Sequence, residues 1–498
     1  MPVLKSLAHL GLQLDPNRSQ PIYAQLAAAL ADAIRAGRIA VGARLPSERA
    51  YAEHLGVSRT TVTAAYQELK AAGLVRGHVG RGAVVAADDQ EPASIGTVPW
   101  SSLAVRTAQA AQPSRAVTER DLISFGNGWL HPSLVPRTAL ADGAAKALRN
   151  ADAFSKTAPI LGLPALREAL IDGLRATGVK ATSSDVLITG GAQQGLNVVA
   201  HALISPGDTV LCERPTWHGA FRAFRAAGAE VTGIATDSEG VDPDALEEAL
   251  YRRRAKFVYL IPTLQCPTGR VLGLQRRQRI LELCARFRTP ILESHVYSPL
   301  AFHKPPPSLK SLDELGIVIL QGSASKTISP NLRLGWLVAP PAALDLLAPA
   351  KDSLDLSTPA LAQAILAEFL SNGGIARHLG HLRTQLQLRR DALIEALTTA
   401  CPQLRYAVPD GGLYLWARLP QTVTAHEIEA AAAVEGVSVR SGAAFLPDGG
   451  ASNYVRLCYA APALSEIAVG AQRLGHALRA LSERHSNQPE QVSAIADV

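Results

Sequence analysis

"GSASKTISPNLRLGW", residues 322–336, sets Lys326 among small residues just after the apolar run "GIVILQ". Arg333 follows seven residues on. An apolar run closed by a small-residue turn reads as a buried strand that delivers a loop. Burial and nearby cations lower a lysine's pKa, so a lysine in such a loop is an amine fit to form a Schiff base with an aldehyde. The bland alternative is a solvated surface lysine, the usual fate of that residue. Ser323, Ser325 and Arg333 favour the first reading, because two hydroxyls and a guanidinium make a cradle for a phosphate dianion.

Working outward, "DVLIT", "DTVLCE", "KFVYLIP" and "PILES" are further short apolar runs alternating with helical patterns. Continuous apolar strands alternating with helices imply an α/β layer with a mainly parallel sheet over residues 121–483. "ITGGAQQGLNVVAHAL" reads as strand, glycine turn and helix, and the free N–H groups of Ala192 and Gln193 suit a phosphate. On its own it is an ordinary βα turn. "CERPTWHGAF" places Trp217 just past a strand end, where an indole stacks on a flat ring or simply fills a core.

With 498 residues, of which 47% are apolar and 18% charged, the chain has material for two or three folded domains. No apolar run reaches the roughly 18 residues of a spanning helix, and the start lacks a signal-peptide pattern. Five scattered cysteines, with no CxxC or Cys/His cluster, argue against a disulfide framework or a structural metal and fit a reducing cytoplasm.

Residues 1–87 hold ten lysines and arginines against five acids, so +5 of the net +6 sits there and an anionic partner belongs at the front. "PIYAQLAAALADAIRAG", "SERAYAEHLG" and "SRTTVTAAYQELKAAG" read as three helices, the last two capped by Ser47 and Ser58. "LVRGHVGRGAVVA" reads as a hairpin. Val62, Ala65, Tyr66 and Leu69 share the inner face of the third helix, leaving Arg59, Thr60 and Thr63 outward. An arginine and hydroxyls at a helix N-terminus reach base edges and phosphates in a major groove. Residues 88–120, rich in Ala, Ser, Pro and Gln, read as a linker, and 484–498 as a frayed tail.

The stretch from "LPSERAYAEHLGVSRTTVTAAYQELKAAGLV" to "GRGAVV" closely resembles the GntR-type winged helix-turn-helix. The resemblance implies an α+β head that contacts double-stranded operator DNA through Arg49, Ser58, Arg59, Thr60, Thr61 and Gly80. Residues 121–483 resemble the class I aminotransferases of fold-type I, an α/β fold with a smaller C-terminal α/β subdomain. That resemblance implies pyridoxal 5′-phosphate as cofactor, with Lys326 as its Schiff-base lysine. It places Ala192, Gln193, Ser323, Ser325 and Arg333 at the phosphate, Trp217 on the ring, and Tyr297 and Cys266 near the ring oxygen. Arg456, in "YVRLCYA", is similar to the arginine that takes an amino acid's carboxylate. A head and body of these kinds together resemble the MocR group of regulators, which implies a homodimer and a small amine, amino-acid or pyridoxal phosphate effector.

The pattern breaks where the family places an Asp against the pyridine nitrogen. Here that residue is Ser294, in "LESHVYSPL", and its neighbours Glu293 and His295 should face away along a strand. Cys266 stands where an Asn is usual, and Thr157 where a Tyr is expected. Schiff-base formation needs only the lysine, whereas carbanion chemistry needs an electron sink, so the sequence favours a sensor over an aminotransferase carrying a DNA-binding head.

Overall fold

The computed structural model describes residues 14–15, 20–36, 38–78, 82–86, 122–149 and 157–486. Gly80 and Arg81 at the hairpin tip, the 88–120 linker and residues 487–498 of the tail lie outside them; residues 484–486, expected to fray with the tail, instead end the helix Ile467–Ser486. The chain divides into two compact units, Met1–Gln109 and Ala110–Val498.

In the first unit, α1 (Ile22–Arg35), α2 (Glu48–Leu55) and α3 (Arg59–Ala71) precede a hairpin of β1 (Val75–His78) and β2 (Gly82–Val85). Leu26 and Leu30 of α1 meet Val62, Ala65 and Leu69 of α3 in a core with Tyr51, all buried. Local chemistry sets the helix ends. Ser47 Oγ accepts from Ala50 N at 3.3 Å, and Gly56 ends α2 in the left-handed region at φ +66. Ser58 Oγ then accepts from Thr61 N at 3.1 Å and starts α3 two residues later. The tight pair of caps is what angles α3 against α2.

The second unit is built on a seven-stranded sheet. Its strands are β3 (Val186–Thr189), β4 (Thr209–Glu213), β5 (Glu230–Ile234), β6 (Ala255–Leu260), β7 (Ile291–Ser294), β8 (Val318–Ser323) and β9 (Gly335–Val338). Their spatial order is β3-β9-β8-β7-β6-β4-β5. Neighbours are parallel except around β9, which runs antiparallel to both β8 and β3. Parallel neighbours need a long crossover; antiparallel ones do not. The reversal at β9 therefore allows the short connection 324–334, and that connection carries both Lys326 and Arg333. Strands β3 and β8 are buried along their whole length, which explains the apolar runs Val186–Ile188 and Val318–Leu320 that begin them.

A four-stranded sheet of β10 (Arg405–Tyr406), β11 (Tyr414–Arg418), β12 (Arg440–Ser441) and β13 (Tyr454–Cys458) forms the C-terminal layer. Its Trp416 pairs in register with Arg456. No helix among the described residues is long and apolar enough to cross a membrane.

Candidate functional site

A cavity of about 210 Å³ opens at the carboxyl ends of the strands. This is where α/β sheets bind ligands. Of the residues singled out from sequence, Ala192, Gln193, Trp217, Ser294, Tyr297, Ser323, Ser325, Lys326 and Arg333 all border it. They come from sequence positions up to 141 residues apart, which only the fold brings together.

Lys326 Nζ donates to Gly128 O at 2.8 Å. It lies 4.3 Å from the Trp129 ring centre and 6.0 Å from that of Trp217, so two indole faces bracket the amine. Burial, and then the charge of Arg456, push its pKa down to about 8. Near neutral pH far more of the amine is therefore in the nucleophilic free-base form than an ordinary lysine would hold.

Opposite, α5 (Ala192–Leu203) follows Gly191 with no side-chain cap, so its first N–H groups face the cavity unclaimed by a capping side chain. (Helix α4 spans Pro164–Arg175 and precedes β3.) Gly191 has φ +98, and a Cβ there would stand 2.7 Å from Arg333 Nη2. Gly335 is required for the same reason, since its Cβ would meet Ala192 N at 2.7 Å. Arg333 itself sits in the left-handed region at φ +50, with Nη2 donating to Gly190 O at 3.2 Å. Ser323 Oγ accepts from Ser325 N at 3.1 Å. Two glycines thus let the Arg333 guanidinium and the loop approach the start of α5, and with Ser323 and Ser325 these groups line one cavity whose chemistry suits an anion, referred to below as the anion cup.

Trp217 caps α6 (His218–Ala226), and its ring centre lies 4.1 Å from that of His218. Burial and surrounding arginines hold His218 down to about 3, so the ring is neutral. Tyr297 shares a 3.3 Å hydroxyl contact with Tyr414. Ser294, at the end of β7, hydrogen-bonds with Tyr259. Glu293, one residue earlier, points the other way and accepts from Leu309 N at 3.1 Å and Lys310 N at 2.8 Å. His295 also faces away from the Lys326 cavity.

Cys266 and Arg456 do not border the cavity. Arg456 is 3% exposed, its Nη2 donates to Gly126 O at 2.7 Å, and its guanidinium lies 4.1 Å from the Tyr414 ring centre. Cys266 Sγ accepts from Arg456 Nη1 at 3.9 Å. Both stand behind the lining, and Arg456 Nε is buried without a partner among the described residues. Thr157 is exposed.

Trp129, Tyr259, Gln321 and Tyr414 were not foreseen. Gln321 Nε2 donates to Ala192 O at 2.7 Å and ties β8 to the start of α5. Trp129 lies between Gly128 and the "HP" turn, a hint that only the fold makes legible.

In the first unit, Arg49, Ser58, Arg59 and Thr60 are exposed and Thr61 is half-buried. Ser58 Oγ lies 2.7 Å from Thr60 Oγ1 and 2.8 Å from Thr61 Oγ1. Glu48 Oε2 accepts from Thr63 Oγ1 at 2.9 Å and pairs with Arg59 Nε at 3.5 Å, which aims the arginine along α3. This role of Glu48 carried no sequence signal.

An amine at one strand end facing an anion cup at a helix start, in an α/β sheet of this order, defines a pyridoxal phosphate-dependent fold of type I. The residues present fit the cofactor: the cup suits a phosphate, the flanking indole a ring, and Lys326 an aldehyde. Residues 127–474 match the family model "Aminotransferase class I and II", and residues 22–85 match "Bacterial regulatory proteins, gntR family". The chain is 31% identical to the HTH-type transcriptional regulator TauR of Rhodobacter capsulatus, over 94% of this chain and 98% of that one. It is 30% identical to the probable rhizopine catabolism regulatory protein MocR of Rhizobium meliloti, over 86% and 87%. The solved structure of LysN, an alpha-aminoadipate aminotransferase from Thermus thermophilus, superposes with a TM-score of 0.73 at 34% identity, over 78% of this chain and 100% of that one. The chain belongs to the MocR-type transcription regulators, with a GntR-type DNA-binding head and a pyridoxal phosphate-binding, aminotransferase-like body.

Proposed function

We propose that the body is a sensor: a small amine, amino acid or pyridoxal phosphate itself enters the Lys326 cavity and changes how tightly the head holds operator DNA. When bound, the cofactor supplies an aldehyde that condenses reversibly with amines. Ala192, Gln193, Ser323, Ser325 and Arg333 would hold its phosphate, and Trp217 and Tyr297 its ring. Lys326 would hold the aldehyde, and its free amine donates to Gly128 O at 2.8 Å. Arg456, relaxing from Gly126 O, would meet an effector carboxylate, a bidentate task suited to a guanidinium. Arg49, Ser58, Arg59, Thr60, Thr61 and Gly80 would contact DNA. The working form is a cytoplasmic homodimer whose two heads read two half-sites.

The observation that carries this reading is Ser294. A buried neutral hydroxyl, bonded to another at Tyr259, occupies the position at which the resemblance to aminotransferases implies a carboxylate. It cannot hold a positive charge on the pyridine nitrogen as a carboxylate does, so the electron sink that turnover needs is weakened. Binding and amine exchange do not need it. A ligand shifts DNA affinity only through contacts that differ between two arrangements of the protein.

The test follows cofactor absorbance and operator binding together while candidate amines are added to the purified full chain. A sensor changes both and consumes no keto acid. Steady conversion of an amino acid and a keto acid, with operator affinity unmoved, would establish the enzyme instead.

A further inference from the structure

Behind the Lys326 connection lies a second cavity, of about 830 Å³. The function proposed above makes no use of it. Its walls are α4, helix α8 (Ala360–Ser371), the start of α9 (Gly374–Ala400) and the segment after β7. (Helix α7, Pro341–Asp355, precedes them.) The partition between the two cavities is one backbone thick. Ser294, Val296 and Tyr297 line the first, whereas His295 and Ser298 line the second. Lys326 faces the first, its neighbour Thr327 faces the second, and Ser323 borders both.

The volume lies within the range of about 300–1,000 Å³ that small-molecule sites occupy. Most of the wall is apolar, from Leu170, Leu174, Ile328, Leu366 and Leu370. The polar groups gather near the strand end. Arg383 Nε donates to Pro299 O at 2.9 Å, four residues beyond His295, so the guanidinium and the imidazole belong to one wall. Burial alone perturbs Arg383, and it has no ion pair among the described residues. His295 Nδ1 is buried without a partner among the described residues. The two rim acids, Glu168 and Asp172, are exposed, and Asp172 is engaged with Arg175 at 3.7 Å. A half-buried cation with no counter-charge, beside an unsatisfied imidazole nitrogen and an apolar chamber, is the complement of an anionic head on an apolar tail.

We propose that this cavity is a second ligand site for an amphipathic carboxylate, its head on Arg383 and His295 and its tail among Leu170, Leu366 and Leu370. Through the shared Ser323 and the 294–298 backbone, its occupant acts on the Lys326 cavity; that coupling, unlike the binding, rests on the cofactor reading above.

The probes are decanoate and its neutral counterpart decanol, titrated calorimetrically into the full-length protein. Decanoate should bind saturably, one per chain, at least ten-fold tighter than decanol. Arg383→Gln should weaken decanoate about ten-fold and leave decanol unchanged. Leu370→Trp, which fills the chamber, should abolish both while the cofactor absorbance persists. No saturable binding, equal affinity for acid and alcohol, or indifference to both substitutions overturns the site. Lys326→Ala should retain decanoate binding, which separates this site from the cofactor reading. A cofactor spectrum that does not move at saturating decanoate overturns the coupling.

Discussion

Half-buried Lys326 and fully buried Glu213 are two ionisable groups whose pKa values move in opposite directions along the titration axis. Lys326 becomes a free base through about pH 8, because burial and Arg456 disfavour its charge. Incorporation of cofactor into the cofactor-free protein, followed by absorbance, should therefore quicken as pH rises through about 8, rather than near the ordinary lysine value of about 10.4. Arg456→Gln removes a neighbouring cation and should move that midpoint upward; an unmoved midpoint would show that burial acts alone. Glu213 is 1% exposed and accepts from Ile261 N at 2.9 Å. Burial pushes its carboxyl up to about 8. Its folded-state pKa is thus raised, so between an ordinary carboxyl value of about 4.3 and about 8 the folded state keeps a proton that the unfolded chain has lost. Stability from this group is fully present below that window and is lost as pH rises through it. Glu213→Gln keeps the acceptor and removes the titration. Its melting temperature should match the parent near pH 4 and exceed it by a few degrees at pH 9; parallel curves would refute the assignment.

At the scale of the element, the cup depends on how closely a turn and a strand approach. Gly191→Ala puts a methyl into a left-handed conformation and against Arg333. Strain of this kind costs on the order of 1–3 kcal/mol. The substitution should weaken cofactor binding at least ten-fold with the fold retained, measured by absorbance titration beside a circular dichroism melt. Ser58→Ala removes the cap of α3 and should cost about 1 kcal/mol of head stability. What the sequence made legible follows the same logic. Caps act within three residues, so Ser47 and Ser58 could be read locally, and fully buried strands announce themselves by unbroken apolar runs. The reversal of β9 was not legible, because "GWLV" is equally apolar in either direction. The four-stranded C-terminal sheet was not either, since its strands are two to five residues long and show little period. Trp129, Tyr259 and Tyr414 reach the cavity region from segments with no motif of their own. That Ser323, Ser325, Arg333, Ala192 and Gln193 share one cavity was legible, because serine, arginine and a helix start after glycine each had a stated physical reason to meet there.

For the molecule as a whole, the decisive quantity is where charge lies. Residues 1–87 carry +5 and the remaining residues +1, so phosphate attraction belongs to the head. Each phosphate neutralised releases counterions, and the logarithm of affinity then falls with the logarithm of salt by about 0.9 per contact. Arg49 is exposed; on the proposed reading it meets the DNA backbone, so Arg49→Ala should weaken operator and random DNA alike and flatten the salt slope by about one. Arg59 is different: its side chain is 72% exposed, at the start of α3, and aimed by Glu48. Arg59→Ala should lower operator affinity more than random-sequence affinity, by the roughly 1–3 kcal/mol of a base contact. Glu48→Ala should do the same in smaller measure, because it releases the aim and spares the charge. Lys326→Ala, in the near-neutral body, should leave the slope unchanged while abolishing the effector response. Fluorescence anisotropy over a salt series, with operator and scrambled duplexes, separates these outcomes. If Lys326→Ala flattened the slope as Arg49→Ala does, the division between a charged reader and a neutral sensor would be wrong.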